Sequence, residues 1–103
     1  MSWFNVPVTA ANNAFLAQEG GGRAPVTLRL QRVARTAPQK VIANALAVAY
    51  SAVPNLLTDD ERAFLTNAND GMLYHRVNMI EHYCTFPSSP VMVAQTFRML
   101  GIA

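Results

Sequence analysis

Apolar residues recur every three or four positions along most of this chain, the spacing of amphipathic α-helices. Leu30, Val33, Ala34 and Ala37 fall at i, i+3, i+4 and i+7 and predict a helix over roughly residues 26–36. Pro25 suits its first turn. The rival reading is a short strand at 26–30, because VTLRL also alternates and begins with β-branched Val26 and Thr27. Pro38 opens the next helix, about 38–52, which Pro54 ends. Two apolar stripes lie side by side on it: Val41, Ala45, Val48 and Ala52, and Ile42, Leu46, Ala49 and Val53. A helix apolar nearly all round belongs at the centre of a fold or between subunits.

The clearest local signal follows. Thr58 with Glu61 three residues later is a capping box, and Asp59, Asp60 and Glu61 complement the positive end of the helix dipole. That helix runs to about residue 68 and buries Phe64, Leu65 and Ala68. Asn69-Asp70-Gly71 reads as a turn or break. A helix over about 72–84 follows, with Leu73, Val77, Ile80 and Cys84 on one face, and Pro87 closes the region. Ser89 and Pro90 form a cap and first turn for a last helix, about 90–100, which buries Val93, Phe97 and Leu100 and ends at Gly101. The pattern predicts an all-α fold, a compact orthogonal or irregular bundle of five to six short helices built around residues 38–52.

The beginning of the chain is organised differently. Thr9 can cap a helix over residues 10–18, after which Gly20, Gly21 and Gly22 form a hinge, since three consecutive glycines lose much backbone entropy on ordering. The division is therefore an N-terminal arm, residues 1–22, and a helical domain, residues 23–103. Trp3, Phe4 and Phe15 are the arm's large apolar groups. They either tuck against the domain or dock on a neighbouring subunit.

Composition sharpens the question of partners. Of 103 residues, 51% are hydrophobic and 14% charged, against roughly 25% charged in a typical soluble domain. A chain this short has difficulty hiding so much apolar surface, which points to a homo-oligomer or a larger protein assembly. The uncharged run 41–57 contains Asn44, Pro54 and Asn55 and falls short of the about 20 apolar residues a spanning helix needs, so no membrane span is expected. MSWFNVPV lacks the basic and apolar regions of a cleaved signal peptide. A lone cysteine, Cys84, gives no internal disulfide. The expected location is cytoplasmic or within an assembled particle.

Charge is segregated along the chain. Arg23, Arg29, Arg32, Arg35 and Lys40 occur without an acid among them, while Asp59, Asp60, Glu61 and Asp70 face a single base, Arg62. The arginines recur at three-residue spacing, opposite Leu30, Val33 and Ala34, and form a candidate face for phosphate or an acidic protein surface. The alternative is a solvated helix face. A helix-turn-helix over 40–68 fails on charge, since its reading helix would begin Asp59-Asp60-Glu61 and point carboxylates at phosphates.

Catalytic patterns are weak. His75 and His82 lie two turns apart, about 10 Å, too far to share one metal ion. Cys84 reads as a buried thiol. Gly20–Gly22 lack the strand and Lys-Ser/Thr ending of a phosphate loop, and Glu81 has no acidic partner one turn away. No enzyme activity, metal, cofactor or small-molecule substrate is expected. The leading expectation is a structural or scaffolding protein acting by self-association, of the kind found in a coat, tail or secretion complex, including viral or phage particles. The alternatives are a non-specific nucleic-acid module using the arginine face, and a small inhibitor or regulator docking on an acidic partner.

Overall fold

The computed structural model describes residues 25–85 and 89–102. The expected arm, residues 1–22, lies outside the described residues, with its helix over 10–18, Trp3, Phe4, Phe15 and the glycine hinge Gly20–Gly22, as do Arg23 and Pro87.

The chain is an all-α compact bundle. Its five described helices are α1 (Val26–Val33), α2 (Ala37–Ser51), α3 (Asp59–Asn67), α4 (Asp70–Tyr83) and α5 (Pro90–Leu100), with no strand among the described residues. The strand reading of 26–30 is thereby excluded, since the apolar period of 3.6 prevails over the β-branched start.

Side-chain caps separate the helices. Thr36 Oγ1 accepts the Gln39 N–H at 3.2 Å and Gln39 Oε1 accepts the Thr36 N–H at 3.3 Å, a capping box that starts α2, with Pro38 in its first turn. Thr58 and Glu61 do the same for α3, at 3.1 and 2.7 Å. The Asn69–Gly71 break of the sequence reading needs correction. Asn69 Oδ1 accepts the Met72 N–H at 2.9 Å, so Asn69 is the cap and Asp70 and Gly71 are already helical. Gly101 ends α5 with φ of +76°, a conformation open to glycine and strained for other residues.

Helix α2 packs against α1, α4 and α5, so the bundle is built around it. Ile42, Leu46 and Ala49 of α2 meet a core of Leu30 from α1, Leu65 from α3, Leu73, Val77 and Ile80 from α4, and Val93 and Phe97 from α5. Burying each of the larger side chains contributes about 2 kcal/mol. Ala43, Ala45, Ala47 and Ala49 are all buried, and their small size lets neighbouring helices approach α2 closely. No helix among the described residues is long and apolar enough to cross a membrane.

Candidate interaction surface

The structure separates the arginines that the sequence grouped on one outer face. Arg29 is not on that face. It is only 7% exposed, in a helix so short and so central that α1 is buried on most of its sides. Its Nη1 donates to the Thr66 carbonyl at 3.1 Å and its Nη2 to the Ala68 carbonyl. Both carbonyls lie at the C-terminal end of α3, where the helix dipole is negative and backbone acceptors lack intrahelical partners. Arg29 therefore closes the α3–α4 junction from inside.

Arg32 and Arg35 continue the same row. Arg32 forks onto Asp70, with Nη2 at 2.7 Å from Oδ2 and 2.9 Å from Oδ1, and Nε at 3.2 Å from Oδ2. The guanidinium carbon of Arg35 stands 4.2 Å from the centre of the Tyr74 ring. Asp70 and Tyr74 are one turn apart on α4, so the row spaced by three on α1 and its connector meets a row spaced by four. The arginine series is the seam between α1 and α4. Lys40 is exposed in the first turn of α2.

The acidic stretch is also partly absorbed. Glu61 is 3% exposed and its Oε1 accepts the Thr58 N–H and, more distantly, Arg98 Nη2 at 3.4 Å. Asp70 meets Arg29 Nε at 3.6 Å as well as Arg32. Asp59 and Asp60 remain exposed at the start of α3. The two stretches thus meet at Asp70, which faces Arg29 and Arg32.

The bundle also leaves several large apolar residues outside. Val41 and Val48 share the exposed face of α2, 42% and 54% open to solvent, and Val53 beyond its end is 95% open. Ala37 and Ser51 are exposed on the same helix, and Lys40 is its one charged residue. On α5, which packs against α2, Val91, Met92 and Met99 are exposed on the side that also carries Gln95 and Arg98. Of the two stripes read along α2, Ile42, Leu46 and Ala49 face inward, while Val41 and Val48 face out.

The remaining candidates sit apart. His75 and His82 are exposed on α4, and His82 makes an edge contact with Tyr83 at 5.0 Å between ring centres. No group of three or more His, Cys, Asp or Glu side chains converges among the described residues. Cys84 is buried at the end of α4.

Two residues escaped the sequence reading. Gln39 is buried, caps α2 and donates to Glu81 Oε1 at 3.0 Å. Its signal was present, since Thr36 followed three residues later by glutamine is a capping-box pattern. Arg76 stands 5.0 and 5.7 Å from the ring centres of Phe64 and Phe97, which touch edge-to-face at 5.9 Å. Nothing local marks it, because its partners come from two other helices. Comparison with protein-family models, with curated proteins and with solved structures finds no match.

Proposed function

We propose that this chain is a structural or scaffolding module that associates with copies of itself through the apolar faces of α2 and α5. The observation that carries the reading is the exposed face of α2. A helix face in water ordinarily carries charge, yet this one presents Val41 and Val48 with Lys40 as its single charged residue. On α5, Val91, Met92 and Met99 extend the apolar character, and methionine is favoured at contact surfaces. A second copy is the natural occupant, because a face nearly free of charge meets itself in a two-fold dimer without like-charge repulsion. A coat, tail or secretion-complex subunit, viral or phage included, belongs to this class of role.

The nucleic-acid and regulator readings draw on fewer outward cations than the arginine series suggests, since Arg29 is directed to carbonyls of its own chain while Arg32, Arg35 and Lys40 are exposed. Sedimentation velocity tests the proposal. The sedimenting species should grow in mass between about 1 μM and about 1 mM protein. Val48→Lys and Met99→Lys should each shift that growth to higher concentration while leaving the helical signal unchanged. A single-subunit mass throughout, in the wild-type chain, overturns the reading.

A further inference from the structure

Where α3 and α4 approach the segment after α5, a groove of about 510 Å³ opens between Phe64, Asn69, Gly71, Met72, His75, Arg76 and Ile102. That size lies in the range of small-molecule sites, roughly 300–1,000 Å³. Its lining divides by chemistry. Phe64, Met72 and Ile102 offer an apolar wall. Asn69, His75 and Arg76 carry nitrogen groups, and none of these described lining residues is acidic.

Arg76 is the distinctive member. Arg29, Arg32, Arg62 and Arg98 each donate to an oxygen atom of the chain. The described Arg35 and Arg76 side chains have ring contacts only, and of the two Arg35 is exposed while Arg76 is half-buried. Stacking occupies the face of a guanidinium and leaves its N–H edge for an acceptor in the plane, where a carboxylate fits bidentately. A half-buried cation beside an apolar wall, with no carboxylate among the described lining residues, is complementary to an anion attached to an apolar body.

We propose that this groove binds a small organic acid, its carboxylate on Arg76 and its apolar body along Phe64, Met72 and Ile102. An acid of roughly a dozen non-hydrogen atoms suits the volume. This site is separate from the exposed α2 and α5 residues and stands independently of self-association.

The test is an amide NMR titration of the full chain with 4-phenylbutyrate and, in parallel, 4-phenylbutanol, which has the same body without the charge. Saturable shifts should centre on residues 64, 71, 72, 75, 76 and 102, and the acid should bind about tenfold more tightly than the alcohol. Arg76→Gln should weaken the acid about tenfold and leave the alcohol unchanged. Met72→Glu, at an exposed position one turn before Arg76, supplies a competing carboxylate and should weaken the acid in the same way even if Arg76→Gln fails to fold. Equal binding of acid and alcohol overturns the proposal, as do shifts centred elsewhere or insensitive to Met72→Glu. Shifts at these amides that follow protein concentration alone, without response to the acid, also overturn it and make the groove a contact between copies.

Discussion

Truncating Arg29 separates a fold-closing role from a binding role more sharply than any other change. In the structure this guanidinium is buried, holds the Thr66 and Ala68 carbonyls and lies beside Asp70. A hydrogen bond from a charged donor is worth about 1.5–3 kcal/mol, and a buried acceptor left without a partner costs about 1–3 kcal/mol. Two such bonds, with these terms overlapping, put the loss at about 3–5 kcal/mol. Arg29→Ala should therefore cost about 3–5 kcal/mol, of the order of half the stability of a domain this size. Its lower end corresponds to a fall of roughly 12–24 °C in melting temperature.

The neighbours supply the contrast. The Arg32–Asp70 pair is about half exposed on both sides, and Arg32→Ala should cost under about 1 kcal/mol. Arg35→Ala removes a ring contact at the surface, about 0.5–1 kcal/mol. Arg29→Met keeps most of the aliphatic stem and loses the donors, so it should recover only the packing part of the Arg29→Ala loss. Urea unfolding followed by circular dichroism at each position gives the order directly. If Arg29→Ala lies within about 1 kcal/mol of wild type, or no further from it than Arg32→Ala, the assignment of Arg29 as the internal clasp of α3 and α4 is wrong.

The remaining expectations concern helix ends. Thr36→Ala and Thr58→Ala should each cost about 1 kcal/mol, and Glu61→Ala about 1–3 kcal/mol, because Glu61 is buried and also receives Arg98; urea unfolding of the three variants measures this. Gly101→Ala should cost about 1–2 kcal/mol through backbone strain alone, since a Cβ there meets nothing within 4 Å. In the same variant the Ile102 amide should move in an NMR spectrum while those of the α2 core stay in place.

The helices were legible because each is written locally. Thr58 with Glu61, Ser89 with Pro90, and the stripe Leu73, Val77 and Ile80 need no knowledge of the rest of the chain. Start sites were less legible where asparagine and glycine adjoin. Asn69-Asp70-Gly71 has turn chemistry, and only the hydrogen bond to the Met72 N–H turns it into a cap. The site was least legible. A helical wheel placed Arg29, Arg32 and Arg35 away from Leu30 and Val33, as it should. It carries no information about whether a second helix covers that other side, and α4 does. Arg76 depended on rings from α3 and α5 in the same way.

Asp70, the partner of Arg32, lies 38 residues further along the chain and 2.7 Å away in space. Charge segregated along the sequence can thus pair within one fold, here at a half-exposed position. The salt dependence of self-association is then decisive. Raising salt from about 0.1 M to about 1 M shortens the screening length from about 10 Å to about 3 Å. Subunits joined pole to pole by exposed opposite charges would separate. Subunits joined through Val41, Val48, Val91 and Met99 have few charges to screen, and sulfate strengthens apolar burial. The sedimenting mass at fixed concentration should therefore hold in concentrated sodium chloride and rise in sodium sulfate. A steady fall in both salts would mean that the charges of Asp59, Asp60 and the arginine series act between copies, and that the apolar strip is not what joins them.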